Sequence, residues 1–195
     1  MEDRVLTLPN AVTVARLCLL PIFLWVLLGR HDRYAAAAVL ACMGATDWID
    51  GYLARHLHQV SAVGKVLDPV ADRLLLIGGV GAIIWVGAAP IWVAVLVLGR
   101  EAVVAIATIT LAALGARRID VTWFGKAGTF GLMVAFPLFL VGHSTASWHR
   151  FAENGAWIAA IPGLVFGLYA LALYVPLARV ALAEGRRTDA VEVNP

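Results

Sequence analysis

The chain has 195 residues, 62% of them apolar and only 14% charged, with a mean hydropathy of +0.85. A soluble domain is roughly 45–50% apolar and about 25% charged, and one of this length has too little interior to hide the excess. Soluble globular, disordered, collagen-like and disulfide-scaffold readings therefore fail together, and a formal net charge of +2 gives no footing for nucleic acid.

The N-terminal stretch MEDRVLTLPN lacks the basic leader of a secretory signal, so the first apolar run, 11–29, is expected to stay as a membrane span. A span needs roughly 20 mostly apolar residues, and five more runs qualify at 34–54, 68–88, 90–114, 121–142 and 155–178. Between them lie Gly29–Arg33, His56–Lys65, Ala88–Pro90, Gly115–Asp120 and Gly142–Gly155, and 185–195 reads as a loose polar tail. Cys18 and Cys42 fall inside apolar runs and report packing, not a metal or redox site. The expected fold class is an all-α integral membrane protein, one domain of six transmembrane helices.

Lys and Arg set the orientation. Arg4, Arg55, Lys65, Arg117, Arg118, Lys126, Arg186 and Arg187 fall on the side of the N-terminus, against Arg30, Arg33 and Arg150 on the other. That bias places both termini in the cytoplasm, in a cell (inner) membrane. Trp85, Trp92, Trp123 and Trp148 lie near span ends, as interfacial anchors do.

Five acidic residues, Asp47, Asp50, Asp68, Asp72 and Glu101, fall in or at the edges of spans. A carboxylate at the bilayer centre costs about 2.5–3.5 kcal/mol on insertion scales, so such residues are rare and functional by default. The plainer alternative is local pairing with Arg55, Arg73 or Arg100. Glu101, beside Arg100, suits a structural or orienting role as well as a chemical one. Asp47 and Asp50 are spaced i, i+3, and Asp68 and Asp72 i, i+4, so each pair shares a helix face. Both pairs lie at the cytoplasmic ends of neighbouring spans, where a short connection makes them meet. Four converging carboxylates form an all-oxygen donor set that suits hard cations. Without cations they would repel one another. Two Mg²⁺ or Mn²⁺ ions resolve the conflict, and paired metals serve phosphoryl chemistry. Gly51 lets a ligand approach the helix backbone, Arg55 suits a phosphate, and Pro69 is expected in a first helical turn. The set points to a phosphate-bearing substrate at the membrane surface.

Asp47-Trp-Ile-Asp50-Gly51-Tyr-Leu-Ala54-Arg55, eight residues, then Gly64-Lys-Val-Leu-Asp68-Pro-Val-Ala-Asp72 reads DxxDGxxAR…GxxxDxxxD. This resembles the signature of the CDP-alcohol phosphatidyltransferase family at all eight fixed positions, and the six-span layout resembles that family along nearly the whole chain. The resemblance implies a membrane enzyme that transfers the phosphatidyl group of CDP-diacylglycerol to an alcohol and releases CMP. It further implies Asp47, Asp50, Asp68 and Asp72 as metal ligands, with Asp72 also the general base. Gly51, Arg55, Ser61 and Gly64 would lie against the CDP moiety. Asn10, Thr13 and Arg16, in PNAVTVAR, resemble the first-helix segment near the nucleotide, and a homodimer is implied.

The motif reads the donor and not the acceptor. Gly125–Met133 (GKAGTFGLM) resembles the glycerol-type branches, with Lys126 and Thr129 one turn apart and able to hold an acceptor phosphate; an ordinary snorkelling lysine is the alternative for Lys126. Arg117 and Arg118, with Arg100, are further candidates for acceptor binding. Arg100-Glu101 resembles an element of phosphatidylglycerophosphate synthases, which commonly carry another arginine eight residues on, where this chain has Thr108. The missing guanidinium disfavours glycerol-3-phosphate. The run from Val121 to Gly142 resembles actinobacterial cardiolipin synthases, whose acceptor is phosphatidylglycerol. Inositol phosphate is disfavoured by LDPVAD. The rival classes are a metal-ion or proton-coupled transporter, whose carboxylates would be spread through the membrane depth, and a structural protein with charge-paired helices.

Overall fold

The computed structural model describes residues 8–57, 64–114 and 122–192. Among them every regular element is helical: α1 Leu8–Leu24, continued by a π-helical turn Trp25–Gly29, then α2 Arg33–Leu57, α3 Gly64–Trp85, α4 Ile91–Ala113, α5 Trp123–Gly142 and α6 His149–Glu192. Among the described residues four segments are long and apolar enough to cross a membrane: Ala11–Gly29, Ile91–Leu111, Trp123–Gly142 and His149–Ala178. Helices α2 and α3, which carry the four aspartates, are not in that group.

Four boundaries differ from the sequence reading. Helix α6 starts at His149, six residues before the expected Gly155, and runs to Glu192 through most of the expected loose tail. Ala152, Ala156 and Ala160 are all fully buried, so a small-residue stripe at i, i+4 spacing seats the first turns. Of the tail residues in the helix, Arg186, Arg187, Ala190 and Glu192 are good helix formers, which offsets the single Gly185. Helix α3 opens at Gly64, which puts Pro69 in its second turn, not its first. At its other end α3 stops at Trp85, short of the expected Ala88. There Gly87, at φ +67°, donates to Ile84 O and Ala88 N donates to Ile83 O. That is a glycine-terminated helix end in which the two bonds satisfy the last carbonyls.

The chain divides into two compact units, Met1–Ala94 with Met133–Ile158 and Val95–Leu132 with Ala159–Pro195. In the first, α1 packs on both α2 and α3. Phe23, Leu27, Ile83, Val93, Phe139 and Leu140 are its largest fully buried side chains. Phe139 meets Trp157 edge-on at 5.2 Å, and Trp157 stacks on Trp92 at 5.7 Å. Buried alanines on α2, α3 and α6 let helices approach closely, while Ile77, Trp85, Ile91, Phe151 and Ile158 are exposed. Small residues inside and large apolar residues outside is the pattern of helices packed in lipid.

At the end of this unit away from the aspartates, Arg33 ties three connections together. Its Nη1 donates to His143 O at 2.7 Å and its Nη2 to Val86 O at 2.8 Å. Asp32 caps α2, its Oδ1 accepting from Ala35 N at 2.9 Å.

In the second unit α5 and α6 meet backbone to backbone. A Cβ on Gly128 would stand 2.8 Å from Gly163 O and Gly167 N, and one on Gly131 would stand 3.0 Å from Ala159 O. Gly163-Leu-Val-Phe-Gly167 is a G-x-x-x-G run, whose missing side chains allow helix backbones to touch. Phe124 closes one end of the seam, edge-on to Tyr169 at 4.9 Å.

Candidate active site

Helices α2 and α3 carry the four aspartates. Asp47 and Asp50 stand one turn apart on α2, with Gly51 and Arg55 following. Asp68 and Asp72 stand one turn apart on α3, which starts with Gly64. At about 1.5 Å rise per residue, each pair is separated by roughly one turn along its own axis, so the shared faces expected from spacing follow from the helices themselves. The side chains of Asn10, Asp47, Asp50, Gly51, Arg55, Gly64 and Asp68 lie outside the described set, and so do Ser61, Arg117 and Arg118 entirely.

Asp72 is the aspartate whose surroundings are described. Its side chain is 57% exposed, and its Oδ1 lies 3.3 Å from Nη1 of Arg16, itself only 7% exposed. Arg16 and Thr13, three residues apart on α1, are the buried polar side chains among the described residues. Thus α1, the helix common to α2 and α3, turns a polar face inward. A guanidinium withdrawn from water is stabilised by a carboxylate partner, and the partner here has one face in contact with Arg16 and more than half of its surface accessible. The sequence reading expects Arg16 near the nucleotide; the structure sets it against Asp72. An arginine in the middle of an apolar run calls for an acid on an adjacent helix.

Two of the candidate acceptor residues, Arg100 and Thr129, lie within the other unit and meet there. Arg100 is 11% exposed and bonds Glu101 through Nη1 and Oε1 at 2.7 Å. The same nitrogen lies 3.4 Å from Thr129 Oγ1, whose hydroxyl donates to Gly125 O at 3.0 Å. The Nε of Arg100 is buried and has no hydrogen-bond partner among the described residues. Its stem lies along Gly167, where a Cβ would come to 3.4 Å of Cδ and Nε, so the glycine seam that joins α5 to α6 also makes room for this arginine. Lys126 is exposed on α5, and Thr122 caps that helix by accepting from Gly125 N at 3.2 Å. Thr108, eight residues after Arg100, donates its hydroxyl to Val104 O of its own helix at 2.7 Å. The sequence reading gives Arg100, Lys126, Thr129, Arg117 and Arg118 as candidates; the structure brings Arg100 to both Glu101 and Thr129. It did not identify the Gly163–Gly167 run, whose spacing is visible in the sequence.

Comparison with known proteins agrees with this architecture. Residues 6–169 match the family model described as CDP-alcohol phosphatidyltransferase. A Mycobacterium tuberculosis protein provisionally named cardiolipin synthase is 38% identical over 173 residues, covering 89% of this chain and 83% of the relative. A Streptomyces coelicolor protein named cardiolipin synthase (CMP-forming) is 38% identical over 170 residues, covering 85% and 74%. A Bacillus subtilis CDP-diacylglycerol–glycerol-3-phosphate 3-phosphatidyltransferase is 30% identical over 176 residues, covering 82% and 91%.

Proposed function

The chain belongs to the CDP-alcohol phosphatidyltransferase family, and from that premise we propose that it makes cardiolipin, transferring phosphatidyl from CDP-diacylglycerol to phosphatidylglycerol. It is a membrane phosphatidyltransferase of phospholipid biosynthesis. In the proposed reaction a hydroxyl oxygen of phosphatidylglycerol bonds to the phosphatidyl phosphorus, the bond from that phosphorus to the CMP oxygen breaks, and the hydroxyl proton passes to Asp72. The all-carboxylate donor set of Asp47, Asp50, Asp68 and Asp72 fits Mg²⁺ or Mn²⁺. Such ions, when bound, neutralise the pyrophosphate and the leaving CMP. Gly51, Arg55, Ser61 and Gly64, with Asn10, Thr13 and Arg16, hold the CDP moiety. Arg16 holds the rotamer of Asp72 from its buried side, and the acceptor approaches the carboxylate from its exposed side.

The observation that carries the choice of acceptor is the 2.7 Å bond between Arg100 and Glu101. A guanidinium with a carboxylate on one nitrogen offers little net charge, and Thr108 supplies none. A phosphodiester with one negative charge suits such a site better than the phosphomonoester of glycerol-3-phosphate, which carries nearly two. The two relatives at 38% identity named as cardiolipin synthases support the same reading, whereas the Bacillus subtilis relative keeps glycerol-3-phosphate as the second reading. The active form is proposed as a homodimer of six-span subunits, with both termini and the aspartates facing the cytoplasm of the inner cell membrane.

An acceptor panel tests this. Purified protein with CDP-diacylglycerol and Mg²⁺ or Mn²⁺ is expected to release CMP when given phosphatidylglycerol, and to release little with glycerol-3-phosphate or inositol phosphate. Release with glycerol-3-phosphate alone would reverse the assignment. Chelating the divalent ions is expected to stop release with every acceptor.

A further inference from the structure

The end of the first unit away from the aspartates holds a cavity of about 520 Å³, lined in part by Arg30, His31, Asp32, Arg33, His143 and Thr145. It has no part in the transfer chemistry: Arg33 lies fourteen residues before Asp47 on the same helix, about 21 Å along the axis at 1.5 Å per residue.

Its cationic groups are held in place. The π-helical turn closes through a bond from Arg30 N to Trp25 O at 3.0 Å, and it returns the Arg30 guanidinium to 5.6 Å from the Trp25 ring centroid. Arg33 is fixed by its two carbonyl acceptors, and because carbonyls are neutral its charge is left uncompensated by them. The one carboxylate, Asp32, spends Oδ1 on the helix cap. His31 is the single described residue other than glycine at positive φ, +54°. Two guanidiniums against one carboxylate leave a net single positive charge, the complement of a phospholipid headgroup with one net negative charge and not of a zwitterionic one, whose ammonium offsets its phosphodiester.

The aromatic residues around the cavity give its depth. Tyr34 lines it and meets Trp148 edge-on at 6.4 Å. Trp25 and Trp85 are exposed, Trp85 by 84%. Exposed Trp and Tyr at helix ends collect at the headgroup level of a bilayer, and basic pockets between transmembrane helices take anionic lipid headgroups. We propose that this cavity is a headgroup site for an anionic phospholipid in the leaflet opposite the aspartates. The phosphodiester is received by the Arg30 guanidinium as a charge-assisted contact, in the positive field that Arg33 maintains. This site does not depend on which acceptor the enzyme uses.

The test titrates full-length protein in zwitterionic detergent with short-chain phosphatidylserine, which is not the proposed acceptor, or with phosphatidylcholine of the same chains. Protein–lipid adducts are counted by native mass spectrometry. Wild-type protein is expected to retain the anionic lipid over the zwitterionic one. Arg30→Gln combined with His31→Asn, which keeps a residue tolerant of positive φ, is expected to weaken the anionic adduct about tenfold through loss of a charge-assisted contact. CMP release by the variant in the same detergent should stay at the wild-type rate. Equal retention of both lipids by the wild type overturns the proposal, as does an unchanged anionic adduct in the variant. Displacement of the adduct by inorganic phosphate at concentrations comparable to the lipid would assign the cavity to a soluble anion and overturn the lipid assignment.

Discussion

Replacing Asp72 with asparagine is expected to lower CMP release by about 10²–10⁴-fold, the usual contribution of a positioned general base, while CDP-diacylglycerol still binds. Asparagine keeps the shape of the side chain and an oxygen that accepts from Arg16, so the 3.3 Å contact to the buried guanidinium survives in outline. What it loses is the ability to take a proton. The measurement is paired: CMP release against donor affinity on the same preparation. Turnover within tenfold of wild type would remove Asp72 from the proton-transfer role. A charge-paired structural protein predicts the reverse pattern, a loss of thermal stability with no reaction to lose. Arg16→Lys separates the two roles given to that arginine. Lysine keeps the charge but not the planar fork. A positioning role for Asp72 predicts a lower kcat at unchanged KM for CDP-diacylglycerol, and contact with the nucleotide predicts a higher KM.

The apolar runs made the helices legible, and the two pairs of aspartates made the chemistry legible, because both are properties of spacing along one chain. Where the sequence reading fell short, the cause was a partner distant in sequence or a compositional cue that outweighed geometry. The polar residues after Gly185 read as a loose tail because lipid was taken as the only solvent; a charged helix outside the apolar layer is equally stable in water, and α6 continues to Glu192. His149–Asn154 read as a connection because His, Arg, Glu and Asn are polar, yet Ala152 and Ala156 are fully buried. The contact of Arg16 with Asp72 is not legible along the first helix, because it comes from the packing of α1 on α3. Arg33 looked like an ordinary loop charge, and nothing local shows that it joins carbonyls 53 and 110 residues away.

Gly128→Ala is expected to destabilise the protein by about 1–3 kcal/mol, the range for forcing an extra methyl into a closed interface. The added Cβ would meet Gly163 O and Gly167 N, both at 2.8 Å. These are backbone atoms, which cannot rotate aside as a flexible side chain would, so α5 and α6 must move apart. Gly99→Ala is the control. It lies in the same unit, on α4, with nothing within 4 Å of its added Cβ, and helix propensity favours alanine over glycine by about 1 kcal/mol. Thermal unfolding in detergent should therefore fall for Gly128→Ala and hold or rise for Gly99→Ala. The effect should also reach the proposed acceptor site, because Thr129 follows Gly128 directly and the Arg100 stem lies along Gly167. Opening the seam lengthens a contact already at 3.4 Å between Arg100 and Thr129. KM for the acceptor is expected to rise while KM for CDP-diacylglycerol stays at the wild-type value. An unchanged acceptor KM in a destabilised Gly128→Ala protein would mean that the seam serves stability alone and that Arg100 and Thr129 do not read the acceptor.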